Sequence, residues 1–108
     1  MKRLMALIGL VLVSSSVYAD CSGGACISVK IDSMQIESSG IVYIQTTGSE
    51  TALNCKPEVG VFLKLKANTD GGKNIYSGLL SAQARDQRVD VRIIDNLSPC
   101  EVSYVTAY

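Results

Sequence analysis

The sequence predicts an all-β domain carrying one helix, with five strands in the order β-β-β-α-β-β closed into a disulfide-bonded Greek-key barrel. Three observations predict it. Apolar residues alternate with polar ones in five separate segments, which is the period of a half-buried strand. A single segment of helical period lies between the third and fourth of them. Four cysteines, an even count, follow an export signal.

The export signal comes first in the chain. Lys2 and Arg3 precede an apolar run over residues 4–13, and Val17-Tyr18-Ala19 fits a signal-peptidase site. The run is about half the roughly 20 residues a spanning helix needs, so residues 1–19 read as a signal peptide. Asp20 stands where a lipoprotein signal wants a small residue, so a lipid anchor on Cys21 is not expected. Residues 20–108 are then one domain, exported to the periplasm or beyond the cell, with no membrane span.

The strands follow in order. Ile27, Val29 and Ile31 alternate with Ser28, Lys30 and Asp32, and after Ser33 the phase slips to Met34 and Ile36. A slip of one residue predicts a bulge in one long, bent strand. Ser38-Ser39-Gly40 is a turn, and the β-branched stretch over 41–47, with Tyr43, is the second strand. Residues 48–59 are polar, broken by Gly48, Asn54 and Pro57, and read as loop. Val61, Leu63 and Leu65 alternate with Phe62, Lys64 and Lys66 in the third strand. After the turn over 68–72, Ile75, Leu79 and Ala82 fall at helical spacing, joined by Tyr76, Leu80 and Ala84. A helix over 74–85 is predicted, capped by Asp70 or Asn74, with Gly78 allowing close packing. Val89, Val91 and Ile93 form the inward face of the fourth strand. A turn over 95–99 leads to Val102, Tyr104 and Thr106 in the last.

That order is the OB-fold's, and a long, bent first strand suits it. An α+β sandwich, with the helix on one face of an open sheet, is the alternative. Cys21, Cys26, Cys55 and Cys100 are read as structural disulfides, because the chain lacks histidine and any C-x-x-C pair for a metal site. Four cysteines allow three pairings. Cys21–Cys26 closes a short loop containing two glycines, and Cys55–Cys100 would tie the starts of the third and fifth strands, parallel neighbours in this fold. This pairing is favoured. In the chain-entropy model the long bridge contributes ~4 kcal/mol and the short one ~2 kcal/mol.

Signal peptide, two disulfides, about ninety residues and this strand order together resemble the B subunits of the subtilase-cytotoxin and pertussis-type toxins. The resembling residues are Ile75-Tyr76-Ser77-Gly78-Leu79-Leu80-Ser81-Ala82, the turn through Arg85-Asp86-Gln87, Val89-Asp90-Val91 and the cysteine before the last strand, within a resemblance that covers about a third of the exported chain. Similar short chains also occur as exported bacterial proteins of other kinds. The resemblance implies a ring-forming, glycan-binding subunit, hence a homo-oligomer. It carries over no binding residue, and the chain has no tryptophan.

Composition narrows the function further. Without Lys2 and Arg3, eight of the ten basic residues face ten acidic ones, which argues against a nucleic-acid partner. No histidine and no G-x-S-x-G elbow are present, so no catalytic residue, cofactor or metal is assigned, and the chain is not expected to be an enzyme. Asp86 and Asp90 read as solubilising, Arg88 and Arg92 as a solvated face. Gly71-Gly72-Lys73 reads as a turn rather than a phosphate cradle, since the spacing is wrong and Asp70 would repel an anion. Asn96-Leu97-Ser98 matches a glycosylation sequon but reads as turn. Tyr43, Tyr76, Tyr104, Tyr108 and Phe62 are the aromatic set. Phe62 is expected under the helix, at a subunit interface or as a ligand platform. Two functions stand: a secreted binding module for a glycan or protein, and a periplasmic accessory protein with a protein partner and no small ligand.

Overall fold

A computed structural model describes residues 20–108, and the predicted signal peptide lies outside the described residues. The described residues are mostly β with one α-helix. β1 (Asp20–Ser22) and β2 (Ala25–Val29) form a hairpin across Gly23-Gly24. β3 (Ile31–Ile36), β4 (Ile41–Thr46) and β5 (Leu63–Lys66) follow, with a 3-10 turn (Glu50–Ala52) between the last two. α1 (Asp70–Ala84), β6 (Val89–Ile93) and β7 (Val102–Ala107) complete it. The strands form two antiparallel sheets, β1-β2-β6-β7 and β3-β4-β5.

The expected closed, five-stranded barrel is therefore corrected to seven strands in two sheets among the described residues. The long first strand exists but divides at Lys30, so that β2 serves one sheet and β3 the other. At the opposite side β5 and β7 touch by one parallel bridge, Lys64 to Glu101, with Lys64 N–H donating to the Cys100 carbonyl at 2.8 Å. β5 is only four residues long, and this one bridge does not grow into a ladder. The additional strand, β1, arises because Gly23 takes φ 58°, a conformation that glycine adopts readily and that closes the hairpin.

Three register slips set which side chains reach the core. Ser28 adopts φ 54° where the β2–β6 register shifts, so Cys26 and Val29 both point inward and Ile27 is turned out to solvent. The expected inward Ile27 is thereby corrected. The slip expected near Ser33 appears between Ile31 and Ser33. A third, between Arg92 and Ile93, leaves Val102 buried and Tyr104 exposed, so the alternation expected along the last strand breaks at Ser103.

The core lies between the sheets. Val29, Val42, Ile44, Leu63, Leu65, Val89, Val91 and Ile93 fill it, with Cys26, Cys100 and the helical Leu79. Each fully buried Leu, Ile or Val contributes ~1.5 to 3 kcal/mol. α1 packs on β3, β5 and β7, and thus covers the weak seam. It starts four residues earlier than expected. Thr69, not Asp70 or Asn74, caps it, its Oγ1 accepting Gly72 N–H at 2.9 Å. The glycine needed for close approach is Gly72, where a Cβ would stand 1.8 Å from the Lys66 carbonyl oxygen, whereas Gly78 faces open space. No helix among the described residues is long and apolar enough to cross a membrane.

Disulfides join Cys21 to Cys26 and Cys55 to Cys100, the pairing favoured from the sequence. Cys21 and Cys26 are direct partners across the β1–β2 ladder. The loops around Cys55 and Cys100 are also stitched by hydrogen bonds, Lys56 N–H to Ser98 Oγ at 3.0 Å and Cys100 N–H to the Lys56 carbonyl at 3.0 Å.

Candidate functional site

The polar run Thr46-Thr47-Gly48-Ser49-Glu50-Thr51 leaves the end of β4 and forms one wall of a cleft of about 520 Å³. Asp32 of β3, Gln45 of β4, and Gly60 and Val61 beyond the 3-10 turn complete the lining. A volume of this size suits a small ligand, since ligand pockets commonly measure ~300 to 1,000 Å³.

Glu50 is the central feature. It is only 5% exposed, and its Oε2 accepts both the Thr46 hydroxyl at 2.6 Å and the Thr46 N–H at 3.0 Å. Burying a carboxylate without such donors would be costly. Its other oxygen, Oε1, receives no hydrogen bond from the described residues. No buried side-chain oxygen or nitrogen among them lacks a partner, so Oε1 keeps access to solvent, and Glu50 is one of the residues lining the cleft. Thr46 Oγ1 in turn accepts Gly48 N–H at 3.1 Å, which fixes the loop's first bend.

The β1–β2 hairpin holds this wall in place. Asp20 Oδ1 accepts Ser49 N–H at 2.8 Å, and Gly23 bridges Leu53, its carbonyl accepting Asn54 N–H at 2.8 Å. The N–H groups of Ser49 and Cys21 hold the Asp20 carboxyl below its ordinary value, by stabilising the anion. Cys21 Sγ lies 3.8 Å from Thr46 Oγ1. A Cβ on Gly48 would sit 2.9 Å from that sulfur and 3.1 Å from Val29 Cγ1, so only glycine lets the loop rest on the disulfide.

The residues singled out from the sequence fall elsewhere. Phe62 meets Tyr43 edge-on, centroids 6.2 Å apart, on the outer face of the β3-β4-β5 sheet. Burial raises the Tyr43 phenol above its usual value, and the charges of Glu37 and Glu58 add to the effect. Tyr76 packs against the core. Asp90 and Arg88, expected to be solvated, instead clamp the Ser28 bulge. Asp90 Oδ1 accepts Ser28 N–H and Arg88 Nη1 donates to the Ser28 carbonyl, both at 2.8 Å. The bulge frees these backbone groups from the ladder, which is why polar side chains were needed there. Tyr108 Oη donates to the second Asp90 oxygen, and that bond raises the phenol above its ordinary value. Asp86 pairs with Lys30 at 3.0 Å and Arg92 with Asp95 at 3.8 Å, both exposed. Asn96 takes φ 60° in its turn.

Gly71 and Gly72 line a smaller cleft of about 290 Å³ beside Lys66 and Glu101, which pair at 3.5 Å. Thr69 already accepts the Gly72 N–H that an anion would need. Among the described residues, no group of three or more acidic, Cys or His side chains is placed to hold a metal.

Sequence reasoning passed over the larger cleft because its residues sit in a stretch read only as loop. The available signal was the density of hydroxyl residues between Thr46 and Thr51, with a carboxylate four residues after Thr46. No family model matches the chain, and no significant similarity links it to a curated protein or a solved structure.

Proposed function

We propose that this chain is an exported, disulfide-bonded binding module that takes a glycan in the cleft beside Glu50. The observation that carries the reading is the chemistry of the lining. Hydroxyl residues Thr47, Ser49 and Thr51, with Gln45 and the acidic Asp32 and Glu50, line the space, while the buried Thr46 hydroxyl donates to Glu50, and neither Lys nor Arg lines it. Such a set donates and accepts hydrogen bonds at many angles, as a sugar's hydroxyls require, and leaves Val61 as the apolar contact. The disulfides and the expected signal peptide fit an oxidising compartment. No nucleophile–base pair is assigned, so the module binds and does not catalyse.

The same proposal extends to the fold. A strand shared between two sheets, a three-stranded meander, a helix between β5 and β6, and the parallel Lys64–Glu101 bridge support an OB-type layout with an incompletely sealed seam. It also keeps the likeness to toxin B subunits, and with it assembly of several copies.

A glycan array tests the function. Binding above background, abolished by Gln45→Ala, is the expected result, and an array with no binding contradicts it. A second reading, an accessory protein with a protein partner, draws on the Tyr43–Phe62 pair and on Ile36, 58% exposed at the end of β3. It predicts that Tyr43→Ala, not Gln45→Ala, abolishes capture of the partner.

A further inference from the structure

Building on the glycan reading of this cleft, we infer that Asp32 and Glu50 are specificity-determining residues that select neutral sugars and reject acidic ones. The sign of the local charge carries the inference. Both carboxylates line the cleft, and a third, Asp20, anchors its wall through Ser49. The nearest cation along the chain, Lys30, is already paired with Asp86 at 3.0 Å. Its backbone, not its ammonium, meets the cleft wall, through Thr47 N–H to the Lys30 carbonyl at 3.0 Å.

Glu50 makes this field more than a surface effect. A carboxylate 5% exposed is screened poorly by solvent and salt. The Thr46 bonds both fall on Oε2, which leaves Oε1 with acceptor capacity on a residue that lines the cleft. A neutral sugar hydroxyl can donate to it, forming a charge-assisted bond. A sugar carboxylate, deprotonated at neutral pH, has no proton to donate and brings like charge against like. The cleft therefore combines a reward for hydroxyls with a penalty for acids at one atom.

The test pairs each neutral oligosaccharide on an array with its sialylated counterpart, followed by titration of the full exported chain. The wild type is expected to prefer the neutral member of a pair by tenfold or more at low salt. Raising the salt should narrow the preference by weakening the Asp32 share. Asp32→Asn should reduce it severalfold while leaving thermal stability unchanged, because Asp32 is exposed. Glu50→Gln should reduce it further, with circular dichroism confirming the fold. Equal or tighter binding of the sialylated members overturns the inference and leaves the glycan reading standing. Binding of neither member overturns the glycan reading itself, and the inference with it. A preference unchanged in both variants also overturns it, since another group must then select.

Discussion

The Cys55–Cys100 bridge spans 45 residues and joins the loops leading into β5 and β7, whereas Cys21–Cys26 spans five and closes a single hairpin. The first lies at the seam where the two sheets meet by one parallel bridge. The second lies under the cleft, with Thr46 and Gly48 resting on its sulfur. Chemically identical bonds thus do different work. At the seam, few backbone pairs exist and a covalent tie substitutes for them. At the hairpin, the ladder would form anyway, and the bond's effect is to hold Asp20 and Gly23 where the 48–54 loop needs them.

The largest expected effect breaks the seam. Cys55→Ser with Cys100→Ser should cost ~4 kcal/mol in the chain-entropy model. For a domain of this size that lowers Tm by roughly 15 to 30 °C, read by thermal denaturation. Cys21→Ser with Cys26→Ser should cost about half as much, ~2 kcal/mol. It should nevertheless weaken cleft binding more than the seam variant does at a temperature where both are folded. If the hairpin variant melted lower than the seam variant, the division of labour would be reversed.

Two of the three helical glycines, Gly72 and Gly78, give a smaller contrast on the seam side. Gly78→Ala should raise stability by ~0.5 to 1 kcal/mol, because nothing lies within 4 Å of the added methyl and helix propensity improves. Gly72→Ala should lower it, since its Cβ would meet the Lys66 carbonyl. Chemical denaturation of the pair measures both signs.

The smallest effect is on the cleft side and depends on pH. The folded Asp20 carboxyl is held below its unfolded value of ~3.9. Its stabilisation is fully present above that value and is lost as pH falls through the depressed folded one. Wild type and Asp20→Asn should therefore differ in denaturation midpoint at pH 6 and converge as pH falls through the depressed folded value, where the wild-type carboxyl also becomes protonated. Because Asp20 is exposed, the difference is small.

How much of this was legible in the sequence follows the range of the interactions. Val89, Val91 and Ile93 alternate cleanly, and all three are buried. Leu63, Leu65, Leu79 and Ala82 reach the core for the same reason, a local period matched to one packed face. The cysteine pairing was accessible because loop length and strand order both restricted it. Ile27 was misplaced because a left-handed Ser28 flips the phase without any glycine to announce it. Tyr104 was misplaced by the slip at Ser103, which depends on pairing with β6. Strand order predicts a closed barrel because it does not reveal that the seam beside β5 holds a single parallel bridge. The cleft was invisible for a related reason. Asp32, Gln45, Glu50 and Val61 come from four segments, and the hairpin with the β3–β4 and β4–β5 ladders brings them together.

The most direct measurement of the central claim is amide-shift mapping of the isotopically labelled chain, residues 20–108, titrated with neutral N-glycan oligosaccharides. The account predicts saturable shifts at Gln45 to Thr51, at Asp32 and at Gly60 and Val61, with the outer sheet face around Tyr43 and Phe62 unmoved. Shifts confined to that outer face, or none at millimolar sugar, would contradict it.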